Sequence, residues 1–238
     1  MKRFFISALL ACTFYNLLAQ KTISDPNVEK RTVGTFHGID VATGIKLILT
    51  EGNTEEVAVS ADKTEYRDKI VTEVVNGILK IHYETKTGAI NRRNESKNLR
   101  AYVSYKKLDR LDVTTGAQIE INGVLKSASL DLKANTGGMI KGEISITTLK
   151  VDQNTGSKIT LTGSADNLGV DGDTGSKFFG EGLRTSNCDA EVSTGAQVFI
   201  NVDKELNAKA NTGGYIKYKG QGGIRNIKTN TGGHVSRI

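Results

Sequence analysis

The residues of this chain whose types and spacing could do chemistry are few. Asp171 and Asp173 stand two apart, with Glu181 and Arg184 in the next stretch. In an extended strand, two carboxylates so spaced project from one face, where they could act as an acid/base or nucleophile pair on a polysaccharide. The intervening Gly172 makes the triplet a turn composition, in which Asp serves the backbone, so no catalytic residue is assigned. The three histidines, His37, His82 and His234, have no second His or Cys at ligand spacing, so no zinc centre or other metal site is expected. No Gly-x-Ser-x-Gly marks a nucleophile elbow, and no cofactor motif is present.

The stronger candidates are for binding: Lys158, Lys177, Tyr215 and Lys217. Their significance depends on the repeat that would position them. Thr-Gly followed by a small residue occurs at glycines 116, 137, 156, 175, 195, 213 and 232, spaced 21, 19, 19, 20, 18 and 19 apart. A fixed period of this size means one structural unit copied along a solenoid. Two residues beyond each small residue lies Ile119, Ile140, Ile159, Phe178, Val198, Ile216 or Val235. Four residues before each Thr lies Leu111, Leu132, Val151, Val170, Ala190, Ala208 or Ile227, and in the middle units Leu130, Leu149, Leu168, Cys188 or Leu206 precedes it by two. Spacing by two is strand periodicity. A unit of about 19 residues at roughly 3.3 Å each has a perimeter near 60 Å, one coil of a narrow β-helix. The fold class is therefore all-β, a parallel β-helix.

Each Thr is preceded by Thr114, Asn135, Asn154, Asp173, Ser193, Asn211 or Asn230. These short polar side chains bond nearby backbone in turns, and the Gly takes the positive φ. Stacked coils would bring them about 4.8 Å apart, as a ladder of amides and hydroxyls. A calcium-loop reading fails because only Asp173 puts an acid in that position. The outward column would be Gln118, Met139, Lys158, Lys177, Gln197, Tyr215 and His234. Stacked Lys158 and Lys177 would repel each other, and an anionic ligand would relieve that. Tyr215, with Lys217 and Lys219 nearby, could stack on a sugar ring.

The ends of the chain read differently. Lys2 and Arg3, the apolar run Phe4 to Leu18 and Ala19 form an export signal over residues 1–19, with cleavage expected before Gln20. Leu9-Leu10-Ala11-Cys12 resembles a lipobox, the lipoprotein alternative, but Thr13 to Ala19 stays apolar. Signal removal leaves only Cys188 and lowers the net charge from +6 to +4. That mild excess does not argue for nucleic acid. Residues 20–32 read as a flexible linker, 33–110 as an N-terminal strand and hairpin region, and 111–238 as coils. Within 33–110, Thr43-Gly44 looks like a degenerate first copy, Asp62 to Lys69 a short helical turn capped by Asp62, and Asn76-Gly77 a hairpin turn. Thr85 to Asn98, with Arg92-Arg93, reads as an exposed loop. The terminal coil, Val235 to Ile238, has no cap and is expected either to fray or to pair with another molecule, so a homo-oligomer through it is an open reading.

Phe36-His37-Gly38-Ile39-Asp40-Val41, then Gly44, then Gly77-Ile78-Leu79-Lys80-Ile81, then the Thr-Gly coils, resemble the putative auto-transporter adhesin family, whose folded unit is the head GIN domain. The resemblance covers roughly residues 33 to 238. It implies a right-handed parallel β-helix exported by Bacteroidetes-type bacteria and carries no active-site motif. The expected function is a non-enzymatic adhesin or binding module of the cell envelope, placed in the periplasm, on the outer-membrane surface or outside the cell. Glycan or an envelope protein would be its partner. The alternatives are a β-helix polysaccharide lyase or hydrolase, and an envelope scaffold.

Overall fold

The computed structural model describes residues 25–84 and 96–238. The expected signal peptide, Cys12 and Arg92-Arg93 lie outside the described residues. In chain order the strands are β1 (Glu29–Arg31), β2 (Gly38–Val41), β3 (Lys46–Glu51) and β4 (Glu56–Ser60). A short helix, α1 (Thr64–Arg67), precedes β5 (Ile70–Val75), β6 (Ile78–Tyr83), β7 (Arg100–Tyr105) and β8 (Arg110–Val113). Five long strands follow: β9 (Gln118–Ala134), β10 (Met139–Gln153), β11 (Lys158–Gly172), β12 (Lys177–Val192) and β13 (Gln197–Ala210). The chain ends with β14 (Tyr215–Lys219), β15 (Gly223–Thr229) and β16 (His234–Arg237).

Each Thr-Gly turn separates two walls. The post-turn wall stacks β3, the first half of β9 and its counterparts in β10 to β13, then β14 and β16, all parallel. The pre-turn wall stacks β2, β8, the second half of β9 and its counterparts, then β15. The apolar residues two apart all face inward: Ile119, Ile140, Ile159, Phe178, Val198 and Ile216 are at most 1% exposed and pile in one column. One cluster of buried apolar side chains runs from Phe36 to Tyr218, so the core is unbroken at residue 110.

The turn is the fixed corner of every coil. Both central residues have positive φ, 47° at Thr155 and 67° at Gly156 for example, and Ser157 N–H closes the turn on Asn154 O at 3.2 Å. This is a type I′ turn. Left-handed Thr is a finding the sequence reading missed, since a β-branched residue resists φ > 0. The preceding side chain offsets that strain: Asn135, Asn154 and Asp173 accept a hydrogen bond through Oδ1 from the following Thr N–H at 2.6–2.7 Å. The expected side-chain ladder is accordingly mostly local, crossing between coils at Asp173–Ser193 and Asn211–Asn230. The continuous ladder is backbone: Gly156 N–H donates to Thr174 O and Gly175 N–H to Thr194 O, each at 3.0 Å. The far corner absorbs the variation in period. Register shifts fall between Lys141 and Glu143, Thr160 and Thr162, Gly180 and Arg184, and Thr185 and Asn187, which leaves both walls aligned from β9 to β13, while a shift at Leu206–Asn207 interrupts the pre-turn wall before β15.

The N-terminal region adds one more coil, because Thr43-Gly44 repeats the turn and Gly44 N–H donates to Thr115 O. Antiparallel strands then close that end: β1 and β4 cap the post-turn wall beyond β7, and the β5–β6 hairpin, turning at Asn76-Gly77, caps the other. Two expectations are corrected here. Residues 25–32 are not a flexible linker, because β1 pairs with β4, the Asp25 carboxylate meets Arg100 at 2.9 Å, and Asn27 Nδ2 donates to Ala61 O. Asp62 does not cap the helix: Lys63 occupies that position without a side-chain bond, and Asp62 accepts from Asn98 instead. At the opposite end, β15 pairs only with β13 and β16 only with β14. All seven residues of β15 are exposed.

Candidate functional site

The catalytic candidates come apart in space. Asp173 belongs to the turn, accepting from Thr174 N–H at 2.7 Å and bonding Ser193 Oγ at 2.7 Å, and Ser193 above all holds its carboxyl below the usual range. Asp171 lies on the pre-turn wall, where burial first and then the Glu191, Asp152 and Asp173 charges push its pKa up. Glu181 sits at the far-corner shift, ten residues before Glu191, the residue in register with Asp171. Arg184 pairs with Asp203 at 3.2 Å. Of the four, Asp171 alone therefore remains on that wall, where its neighbours in register are Asp152 and Glu191 rather than the carboxylates and arginine expected to act with it.

Asp171 does line a concavity that the sequence did not announce, an open groove of roughly 720 Å³ across the pre-turn wall. Its two outward files are Asp131, Lys150, Gly169, Asp189, Asn207, Asn226 and Lys133, Asp152, Asp171, Glu191, Lys209, Lys228. Gly169 opens the groove by leaving a gap in the first file. Its charges are mixed and partly internal, since Lys209 pairs with Glu191 and Asn207 donates to Asp189. Among the described residues no group of three His, Cys, Asp or Glu is arranged to hold a metal ion.

The post-turn wall gathers the predicted binding residues. Register places Lys158 against Lys177, Lys177 against Gln197, Gln197 against Tyr215, and Tyr215 against His234. Beside this file, two residues further along each strand, run Glu120, Lys141, Thr160, Phe179, Phe199, Lys217 and Ser236. Lys46 and Lys141 are both bound to Glu120, at 3.0 and 3.3 Å. No acid among the described residues pairs with Lys158, Lys177 or Lys217. The Lys158 ammonium leans forward over the Phe179 ring, 5.1 Å from its centroid, and Lys217 lies 5.4 Å from that of Tyr215.

Phe179 and Phe199 are outward aromatic residues that the sequence reading missed. Their rings stack at 5.2 Å with planes 4° apart. A signal for them existed: inward Phe178 and Val198 force the next residue outward, and 179 and 199 are twenty apart, as are glycines 175 and 195. Tyr215 stacks on His234 at 5.3 Å, and Ser236 and Lys217 beside its hydroxyl draw its pKa down. His234 thus lies against one face of the Tyr215 ring, and the Lys217 ammonium lies close to the ring. Cys188 is inert in this arrangement: it fills the inward column with Leu168 and Leu206, and burial pushes its thiol up.

The family model described as "Putative auto-transporter adhesin, head GIN domain" matches residues 35–222. Among solved structures, a putative adhesin from Bacteroides fragilis is similar with a TM-score of 0.79 at 16% identity, covering 89% of this chain and 96% of its own. A putative adhesin from Parabacteroides merdae gives 0.69 at 14%, with 91% and 97% covered. A putative lipid binding protein from Parabacteroides distasonis gives 0.68 at 16%, with 91% and 98% covered. At these identities the likeness speaks for the fold alone. No curated protein matches the chain in sequence. The family match spans most of the chain, and the chain belongs to the putative auto-transporter adhesin family, through its head GIN domain.

Proposed function

We propose that this protein is an exported, non-enzymatic adhesin-like binder that holds an anionic glycan on its post-turn wall. The observation that carries the reading is Lys158 and Lys177, in register on adjacent coils and without an acidic partner among the described residues. At the coil spacing of about 5 Å, two unit charges would repel by roughly 1 kcal/mol in water. A carboxylate or sulfate between them turns that cost into attraction, and Lys217 repeats the charge further along. Because the aromatic rings stack on one another, they would stiffen the wall rather than clasp sugar rings, and recognition would run through charge and ring edges. A rigid wall with repeated weak contacts suits a polymeric ligand, each contact raising the effective concentration for the next.

Family membership supports adhesin-like binding and, with the Lys2-Arg3 and Phe4–Leu18 pattern, export to the periplasm, outer-membrane surface or medium. No helix among the described residues is long and apolar enough to cross a membrane. A lyase or hydrolase is disfavoured by the separation of Asp171, Asp173, Glu181 and Arg184. The test is binding to a carboxylated polysaccharide, polygalacturonate, beside a neutral one, dextran. Retention on polygalacturonate alone, weakened by added salt and by Lys158→Ala with Lys177→Ala, is expected. Equal retention on both, or none on either, would end the proposal.

A further inference from the structure

Lys158 and Lys177 hold equivalent positions on adjacent coils, yet their surroundings differ. The next outward residue on each strand is two further along, Thr160 after Lys158 and Phe179 after Lys177. Register stacks Thr160, Phe179 and Phe199 on three successive coils. Phe199 lies against one face of the Phe179 ring, with centroids 5.2 Å apart and planes 4° apart. The other face looks over Thr160, whose side chain is short. The Lys158 ammonium lies over the ring, 5.1 Å from its centroid. Lys177 stands to Phe199 as Lys158 stands to Phe179, but the Phe199 face it would use is the one stacked on Phe179. One lysine of the pair has a ring to rest on, and the corresponding face for the other is taken.

We propose that Phe179, backed by Phe199, is a positioning residue that fixes the Lys158 ammonium for an anionic glycan, while Lys177 closes on the ligand as a mobile second cation. The inference rests on the glycan reading above. Three effects act together. The negative ring face attracts the ammonium and restrains a long, flexible side chain. Drawing Lys158 over Thr160 carries its charge away from Lys177 and eases their repulsion before any ligand arrives. A side chain ordered in advance loses less freedom on binding, so its contact with the ligand counts for more. The ring also differs from an acid as a holder. Glu120 neutralises Lys46 and Lys141, whereas an aromatic face leaves the ammonium its net charge and its outward N–H donors for a carboxylate. A docking patch for an apolar partner would leave the ring faces open, and both faces of Phe179 are occupied.

Two measurements test this. In NMR spectra of the ligand-free protein, the Lys158 side-chain protons should be shifted upfield by the ring current, those of Lys177 should not, and Phe179→Leu should abolish the shift. With polygalacturonate, Phe179→Leu should weaken binding about fivefold, while Phe179→Tyr, which keeps a ring face, should stay within about twofold of the unaltered protein. In a Lys158→Ala protein, Phe179→Leu should weaken binding no further, because its effect runs through that lysine. A merely structural role for the ring would weaken both proteins alike, and that result would overturn the proposal. Lys158 and Lys177 resonating alike, or binding that Phe179→Leu leaves unchanged, would overturn it while leaving the glycan reading in place. Failure of the unaltered protein to bind polygalacturonate would overturn both.

Discussion

The two walls that flank the Thr-Gly turn share every coil, every turn and the same inward ribs, yet one faces solvent with unanswered lysines and the other with mixed charge. Beyond the turn stand Lys158, Lys177 and Lys217 with no acid to answer them, beside the Phe179–Phe199 stack. Before it stand Asp152, Asp171 and Glu191 in register, in a groove whose lysines are partly engaged by those acids. A repeat thus fixes the backbone once and leaves each wall free to carry its own charges. Inward positions must repeat because each coil rests on the last, whereas outward positions answer only to water and ligands.

The largest effect expected is one that spares neither wall. Phe178 is fully buried between outward Lys177 and Phe179, and Phe178→Ala should cost about 3–5 kcal/mol in urea unfolding, through a cavity and lost burial. Loss of that size confined to one wall's spectroscopic or exchange signals would break the view that both depend on one core. Next comes the shared corner. Gly175 has φ +69° and nothing within 4 Å of an added Cβ, so Gly175→Ala should cost about 1–2 kcal/mol from backbone strain alone. Urea midpoints would check it.

A smaller effect has the opposite sign. Gln153 is 1% exposed inside the coil, and both polar atoms of its amide, like Ser157 Oγ and Ser176 Oγ, have no hydrogen-bond partner among the described residues. The residues of its column include Ala134, Gly172 and Val192, so Gln153→Leu should stabilise by about 1 kcal/mol, read as a raised Tm. The smallest concerns pH and the pre-turn wall alone. Asp171 has a raised folded-state pKa, so its contribution is present below the unfolded pKa and is lost as pH rises through the folded value. Because Asp171 is exposed and its repulsions are screened by water, Asp171→Asn should stabilise by no more than about 0.5 kcal/mol at neutral pH and not at all in acid. Asp173 is depressed and behaves in reverse, its contribution present above the unfolded pKa and lost as pH falls through the folded one. Asp173→Asn should leave the turn intact, since Asn135 and Asn154 fill the same role.

The same contrast explains what could be read beforehand. Period-two ribs such as Leu149, Leu168 and Cys188 and the recurring Thr-Gly located both walls and the turn, because burial and positive φ restrict residue choice. The lysine file was legible once inward positions were known. The Phe179–Phe199 stack was hidden in apolar runs, and the groove at Gly169 arises from a missing side chain, which no pattern of types announces. The pairing of β1 with β4 was lost on a short, polar Glu-Lys-Arg whose strand state is set by its neighbour.

The most direct test reverses equal charge on the two walls. Lys158→Glu with Lys177→Glu alters the post-turn wall, and Lys133→Glu with Lys150→Glu alters the pre-turn wall by the same net charge. With polygalacturonate as ligand, the first pair should lose about tenfold or more in affinity and the second about twofold or less. Equal losses, or a greater loss from the second pair, would contradict the assignment of binding to the post-turn wall.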